Sequence, residues 1–222
     1  MILHSKAFIF DLNGTMIDDM HYHIRSWHRI LKDLGANLDY EAVKAECYGK
    51  NHELLDRVFP GRFTEAEKDT MSIEKEKQYQ HEFRPHLKLI GGLDHLLGEA
   101  KESHIKMAIG SAAIRYNIDF VLDGLNIGHY FNSIISADDV KLSKPDAETY
   151  LKCAEQLNVA PANCIVFEDS PKGVESAANA GMKAVVITTM STPDEFKAYD
   201  NILLFASDYR DITIEKAFAP IP

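Results

Sequence analysis

The 222-residue chain has few cysteines, one tryptophan and no long apolar run, and these shortages exclude several classes of protein. Its three cysteines, Cys47, Cys153 and Cys164, are odd in number and have no short metal-binding spacing, so we expect reduced thiols rather than a disulfide framework. No run approaches the roughly 20 apolar residues of a membrane span. The opening residues lack the apolar length and flanks of a signal peptide. We therefore expect a soluble, cytoplasmic protein that does not act at a membrane.

Basic charge is also scarce. The chain has 24 Lys and Arg against 34 Asp and Glu, for a net charge of −10. This balance argues against a nucleic-acid binder, because such proteins present basic faces to the phosphate backbone. A few local cations can still hold a small anionic substrate. The length allows one large domain, or a core domain with a smaller second domain. We expect a monomer.

Short apolar runs rich in β-branched residues alternate with stretches of helical spacing over most of the chain. This alternation predicts an α/β fold, in which helices cover both faces of a parallel sheet. The predicted strands span residues 8–10, 106–111, 131–137, 164–169, 183–188 and 201–207.

Residues 16–87 interrupt this alternation with helical patterns alone. We predict an all-helical cap domain over 16–87, inserted into a core formed by 1–15 and 88–222. The last helical pattern of the insert is so charged that we expect chiefly a solvated face, with Glu76 and Gln80 as neighbours on it.

The ends of the predicted strands deliver polar side chains. Ligands of open parallel sheets bind outside the carboxyl ends of the strands, so these residues are the candidate site. They are Asp11 and Asn13 after the first strand, Ser111 with the amides of Ala112 and Ala113 opening a helix, Lys144 ahead of a helix start, and the adjacent acids Glu168 and Asp169.

Together these residue types suit phosphoryl transfer. A carboxylate such as Asp11 can attack phosphorus and divide one difficult step into two. Asp11 and Asp169, with a backbone carbonyl, make an oxygen-rich site suited to Mg²⁺. Lys144 adds a fixed positive charge, and Ser111 with the amides that follow it can donate hydrogen bonds to phosphoryl oxygens. Each residue alone is common in loops; the set in this order indicates phosphoryl transfer.

The segments "DLNGT", "GSAA", "SKP" and "FEDSPKG" resemble the four ordered motifs of the haloacid dehalogenase-like superfamily. The segments "YHIRSW" and "YGKN" resemble its β-phosphoglucomutase and sugar-phosphate phosphatase branch. The resemblance implies a Rossmann-like core with a mobile helical cap, Mg²⁺, and a phosphoaspartyl intermediate.

The same resemblance implies a role for each matching residue. Asp11 resembles the nucleophile, and Ser111 and Lys144 resemble the phosphoryl-binding residues. Metal binding is implied for Asp11, Asn13, Glu168 and Asp169. His23 resembles a residue of the cap hinge that assists the general acid and base.

The sequence departs from the family pattern at Asn13, where a second aspartate usually exchanges the proton of the leaving group. An amide cannot do so, and general acid–base catalysis is typically worth about 10²- to 10⁴-fold. The enzyme is therefore slow, or favours leaving groups that need no proton, or transfers the proton through His23 or another cap residue. A further alternative is that the asparagine was engineered to stall the phosphorylated enzyme. We favour a working phosphotransferase and expect Asn13→Asp to raise its turnover.

A second departure lies at Gly49, Lys50 and His52, where the mutase branch has an arginine for a distal phosphate in place of the histidine. Lys50 or His52 can supply a weaker contact, or the segment is simply a solvent-facing helix start capped by Asn51. We therefore favour hydrolysis of a monophosphate over β-phosphoglucomutase activity. A phosphonate hydrolase that uses Lys50, and a phosphate-binding module without catalysis, are the remaining alternatives.

Overall fold

A computed structural model describes residues 6–218 of the chain. The chain forms two compact units, one made of the residues up to Asp18 together with those from Lys88 on, and the other of Asp19–Leu87. The chain leaves the first unit after Asp18 rather than after Thr15. The reason is local, because Ile17 still pairs with Asn13 and its carbonyl accepts a hydrogen bond from the amide of Gly14 at 2.8 Å.

The first unit is built on a six-stranded parallel sheet, which confirms the predicted fold class. The strand order is β3-β2-β1-β4-β5-β6. β1 and β4 are buried along their whole length, as apolar runs in parallel sheets usually are. The strands are β1 (Ala7–Phe10), β2 (Lys106–Gly110), β3 (Ser133–Ile135), β4 (Cys164–Glu168), β5 (Lys183–Ile187) and β6 (Ile202–Ala206).

Helices form all the regular structure given for the second unit, which we call the helical unit, except a short 3₁₀ turn at Arg84–His86. They are α1 (Met20–Asp33), α2 (Tyr40–Glu46), α3 (Asn51–Val58) and α4 (Glu65–Phe83). Thr64 caps α4 in a reciprocal exchange with Glu67, whose carboxylate accepts from the Thr64 amide at 2.8 Å.

The expectation of a chiefly solvated α4 is wrong for one face of that helix. Glu76 and Gln80 are buried, and so is every member of a stripe at helical spacing. Charged side chains are tolerated there because they are paired within the helical unit, Lys75 with Glu76 and Lys68 with Asp56. The stripe consists of Lys68, Ser72, Lys75, Glu76, Tyr79, Gln80 and Phe83.

Five further helices follow in the sheet unit. Val174 of the fourth packs with Val166 and Ile9 in the main apolar core, which also includes Cys153 and Cys164. These helices are α5 (Leu93–Glu102), α6 (Arg115–Leu125), α7 (Glu148–Leu157), α8 (Pro171–Asn179) and α9 (Ile214–Ala217). All three cysteines are unpaired. Among residues 6–218, no helix is both long and apolar enough to cross a membrane.

Candidate active site

The candidate site lies where β1, β2 and β4 end. β1 pairs with β2 on one side and with β4 on the other. The hydrogen bonding continues one residue past the strands, because the Asp11 amide donates to Phe167 O and the Ser111 amide donates to Ile135 O, both at 2.9 Å. The side chains of Asp11 and Ser111 are therefore fixed at the carboxyl edge of the sheet, beside the point where strand order reverses.

Three buried carboxylates converge at this edge. Asp11, Glu168 and Asp169 each offer an oxygen, and these oxygens all lie within 4.8 Å of one another. Each of these residues is at most 7% exposed. Carboxylates brought together out of water repel one another, so the cluster requires a cation.

Lys144 supplies one such cation. Its Nζ donates to Asp11 Oδ1 at 2.6 Å and to Glu168 Oε1 at 2.7 Å. Burial alone would lower the pKa of Lys144, but the charges of Asp11 and Glu168 outweigh it and raise this pKa above its usual value. The amine is therefore charged at neutral pH. α7 begins only at Glu148, so Lys144 lies in the loop before the helix rather than at its start.

Both carboxylate oxygens of Glu168 accept hydrogen bonds. Oε1 accepts from Lys144 and from the Tyr150 hydroxyl at 2.7 Å, and Oε2 accepts from the amides of Asp169 and Ser170 and from the Ser170 hydroxyl. Burial would raise the pKa of Glu168, but the charge of Lys144 and these hydrogen bonds lower it. Glu168 is therefore an ionised carboxylate held in one orientation.

The turn after Asp11 is held from several sides. Gly14 has φ +75°, a left-handed conformation that favours glycine, and its carbonyl accepts from the Thr189 hydroxyl at 2.6 Å. Thr15 Oγ1 donates to Asp169 Oδ1 at 3.4 Å, and the Thr15 carbonyl accepts from Tyr209. Asn13, half-buried in this turn, therefore has a well-determined position.

Ser111 is buried, and its Oγ accepts from the Ala113 amide at 3.1 Å. α6 begins only at Arg115, so the expectation that Ala112 and Ala113 open a helix is wrong. Their amides lie in the turn between β2 and α6. The hydroxyl and the two amides remain close in sequence at the same strand end, although the amides lack the full effect of a helix terminus.

The carboxylate cluster fits Mg²⁺, because its ligands are hard, charged oxygens of the kind that this ion prefers. Asp11, Glu168 and Asp169 are the residues that would hold it. A contribution from the backbone carbonyl of Asn13 stays a prediction.

His23 lies in the helical unit within a buried polar cluster. Its Nδ1 accepts from Lys75 Nζ at 2.5 Å, since a lysine ammonium can only donate. Its Nε2 lies 3.2 Å from Asp19 Oδ2, which also accepts from the Tyr79 hydroxyl at 2.5 Å. The imidazole stacks on the Tyr79 ring with centroids 3.8 Å apart. Glu76 completes the cluster through Lys75, at 2.9 Å.

Gly49 and Lys50 lie in the connection between α2 and α3, and Asn51 and His52 are the first two residues of α3. Gly49 has φ +72°, and Lys50 rather than Asn51 is the cap residue, so the proposed Asn51 cap is wrong. The Asn51 amide group donates instead to Glu76 Oε1 at 2.9 Å. Both ring nitrogens of His52 face acids, with Nδ1 3.1 Å from Glu65 and Nε2 3.0 Å from Asp69.

Sequence reasoning missed two residues that shape the site. Tyr150 lies in α7, and its hydroxyl donates to Glu168. In the sequence it is only a tyrosine on the apolar stripe of the helix that follows Lys144. Gly173 approaches the Glu168 carboxylate so closely that no side chain fits there. A glycine two residues after the proline of "FEDSPKG" was the signal for this approach.

Comparison with known proteins agrees with the fold. The haloacid dehalogenase-like hydrolase model matches residues 8–187, so this chain belongs to that family, as predicted. Beta-phosphoglucomutase of Bacillus subtilis is 31% identical over 188 residues, which cover 81% of this chain and 82% of that protein. Fructose-1-phosphate phosphatase YqaB of Escherichia coli is 29% identical over 181 residues, covering 80% and 93%. The crystal structure of beta-phosphoglucomutase from Clostridium difficile superimposes with a TM-score of 0.82 at 29% identity, covering 95% of this chain and 94% of that one.

Proposed function

We propose that this chain is a Mg²⁺-dependent phosphatase that hydrolyses a small phosphorylated metabolite, such as a sugar monophosphate, through a phosphoryl group carried on Asp11. The observation that carries the proposal is the buried contact of Lys144 with both Asp11 and Glu168. The names of the two relatives, a sugar-phosphate phosphatase and a sugar-phosphate mutase, support the substrate class.

Asp11 is the proposed nucleophile. An oxygen of its carboxylate forms a bond to phosphorus while the bond between phosphorus and the sugar oxygen breaks. Water then attacks phosphorus while the bond between phosphorus and the Asp11 oxygen breaks, which releases inorganic phosphate and restores the carboxylate. The proton that the water loses balances the one that the sugar oxygen takes from solvent. When bound, Mg²⁺ would reduce the repulsion between the carboxylates and the phosphoryl group.

Lys144 and Ser111 are the proposed phosphoryl-binding residues. The ammonium of Lys144 donates to Asp11 in this arrangement and has a further proton for a phosphoryl oxygen. The Ser111 hydroxyl and the Ala112 amide donate to the remaining oxygens, and the Ala113 amide would have to exchange its bond to Ser111 Oγ for one to a phosphoryl oxygen. These groups bind charge that spreads over the phosphoryl oxygens as the bond breaks.

Asn13 cannot give a proton to the departing sugar oxygen. Its amide can still hydrogen-bond that oxygen, so the reaction is fastest for leaving groups that are stable as anions. In the helical unit, His23, Gly49, Lys50 and His52 stay proposed substrate contacts. His23 already shares its ring nitrogens with Lys75 and Asp19, so a proton can reach it from within that cluster.

The decisive experiment is phosphorylation by acetyl phosphate in the presence of Mg²⁺. We expect the intact mass of the wild type to rise by one phosphoryl group located on Asp11, and no gain in Asp11→Asn. Asp18→Asn removes an exposed acid of the same chain segment and should behave like the wild type. A screen of sugar monophosphates, pyrophosphate and nucleotides then identifies the substrate. If no gain in mass and no phosphate release occurred, the chain would be a binding protein and the proposal would fail.

Mutase activity is the second candidate, favoured by the relative named beta-phosphoglucomutase. It requires a second phosphate-binding group. In the helical unit, however, the ring of His52 is held by Glu65 and Asp69, which weakens its attraction for an anion. Conversion of β-glucose 1-phosphate to glucose 6-phosphate, coupled to a dehydrogenase, would separate mutase from phosphatase activity.

A further inference from the structure

A surface depression of about 250 Å³ lies at the opposite edge of the sheet, and we call it the basic pocket. Ile105 and Met107, both buried, contribute apolar lining. Its polar lining residues are Lys101, His104, Lys106, His129, Tyr130 and Asn132. Four of these are bases, and none of the described residues that line the pocket is acidic. This is unexpected in a chain whose net charge is −10.

The basic pocket is separate from the candidate active site. It lies at the amino end of β2, at Lys106, whereas Ser111 follows the carboxyl end of the same strand. Five residues of extended chain separate the two edges, a length of about 17 Å at roughly 3.3 Å per residue. A ligand in the basic pocket therefore cannot contact Asp11 or Lys144.

Several polar groups of the pocket are held in place by the protein. Lys106 Nζ donates to the carbonyl of Leu157 at 2.5 Å, which leaves further N–H groups on the same ammonium. Asn132 Oδ1 accepts from the Met107 amide at 3.0 Å, so the donor end of its side chain is directed away from that bond. Lys101 Nζ lies 5.2 Å from the centre of the Tyr130 ring. Lys106 and Asn132 therefore present hydrogen-bond donors that the protein holds in place, and Lys101 adds an exposed ammonium.

His104 adds a backbone feature. Its φ of +57° makes it one of three non-glycine residues in the described chain with positive φ, and the other two, Asn126 and Asn158, cap helices. Glycine and asparagine are the usual residues at such helix ends, and histidine is, with asparagine and aspartate, one of the non-glycine residues enriched at positive φ. Basic residues at positions 101 and 104 are expected beside the negative carboxyl end of α5. Lys106, His129 and Asn132 lie on other segments, so the helix end does not account for their presence in the pocket.

We infer that the basic pocket is a second anion-binding site, which takes a phosphate dianion either as inorganic phosphate or as the phosphoryl group of a small metabolite. Ammonium and imidazole groups with no acid among them attract such an anion. The volume suits a small metabolite rather than a drug-sized ligand. The inference does not depend on the proposed catalytic activity.

The test is NMR observation of the imidazole signals of His104 and His129 during titration with sodium phosphate. Asp11→Asn protein is used so that esters stay intact. Sodium chloride keeps the ionic strength constant, and every phosphate stock is adjusted to the pH of the buffered protein. We expect both signals to shift saturably with phosphate, and Lys101→Gln to weaken binding about tenfold, as the loss of one charge-assisted hydrogen bond would. Lys183→Gln is the matched control, because Lys183 is an exposed lysine at the amino end of β5 outside the pocket.

Glucose 6-phosphate provides the second arm. Tighter binding of this ester than of inorganic phosphate would identify a metabolite site, and equal or weaker binding a site for free phosphate. Shifts that grow linearly without saturation, or that are the same in Lys101→Gln and wild type, would overturn the inference.

Discussion

Gly173 of α8 lies directly against the carboxylate of Glu168. A Cβ at position 173 would overlap Cδ and both oxygens of Glu168, which are held by Lys144, Tyr150 and Ser170. The Ser170 hydroxyl also accepts from the Gly173 amide at 3.2 Å, so the helix start and the carboxylate are fixed together. The absence of a side chain at position 173 is what lets α8 begin so close to the acids.

Gly173→Ala should therefore disturb both stability and the acidic cluster. Either α8 or Glu168 must move, and overpacking of this kind typically costs about 1–3 kcal/mol. We expect urea denaturation to show that loss, and phosphorylation by acetyl phosphate to require more Mg²⁺ than in the wild type. The matched control is Gly98→Ala in α5, where a Cβ meets nothing within 4 Å. That variant should be neutral or more stable by up to about 1 kcal/mol; equal losses in the two variants would show that the overlap at Glu168 is relieved without cost.

Asn13→Asp should restore the proton that the departing sugar oxygen needs. We expect kcat/KM for a sugar monophosphate to rise by about 10²-fold, the lower end of what general acid–base catalysis contributes. Acetyl phosphate loses acetate, which needs no proton, so its rate should change little. The ratio of the two rates in wild type and variant is the measurement. Parallel changes for both substrates would contradict the role assigned to position 13, and Asn13→Ala controls for loss of the amide alone.

Glu148 should make the loop that carries Lys144 sensitive to acid. Its Oε2 accepts from the amides of Lys141 and Leu142, both at 2.9 Å, and Oε1 pairs with Lys152 at 2.8 Å. The hydrogen bond from the Leu142 amide is the largest of the causes that lower the pKa of Glu148 to about 2 from 4.5, followed by the one from Lys152.

Because this pKa is lower in the folded protein than in the unfolded chain, the contribution of Glu148 to stability is present above pH 4.5 and is lost as pH falls from there towards 2. Urea midpoints measured from pH 6 to pH 3 should therefore fall more steeply in the wild type than in Glu148→Gln. The exposed Glu155 on the same helix provides the control variant, Glu155→Gln. Identical slopes for wild type and Glu148→Gln would be inconsistent with this account.

The sheet and its polar edge follow directly from the sequence, because each buried strand is a short apolar run and Asp11, Lys144 and Asp169 stand where such runs end or loops begin. Parallel pairing then brings these residues to one edge whatever the details of the side chains. Tyr150 and Gly173 could not be found in this way. Their positions depend on how α7 and α8 pack on the sheet, and a tyrosine or glycine in a helix has many more common explanations.

In the helical unit, the sequence pattern predicts exposure for residues that are in fact buried. The charged sequence of α4 predicts an exposed helix, but charge alone does not distinguish a solvated face from a set of paired buried groups. The buried members recur at helical spacing from Lys68 to Phe83, so periodicity was the better guide. The buried face is hard to recognise from the sequence because apolar residues normally mark such a face, whereas here Lys75 and Glu76 lie on it.

The buried pair of Lys75 and Glu76 leads to the last prediction. Both side chains are about 3% exposed, 2.9 Å apart, and Glu76 also accepts from Asn51. Removing one partner of a buried pair leaves an uncompensated charge, which typically costs about 3–5 kcal/mol. Glu76→Ala should therefore destabilise the helical unit by about this amount, read from the fluorescence of Trp27, the one tryptophan of the chain, which is buried in that unit. Glu82→Ala on the same helix removes the exposed pair with Arg29 and should cost less than about 1 kcal/mol. If both variants lost the same small amount, Lys75 would be satisfied by His23 alone, and the pair with Glu76 would contribute nothing to the stability of the unit.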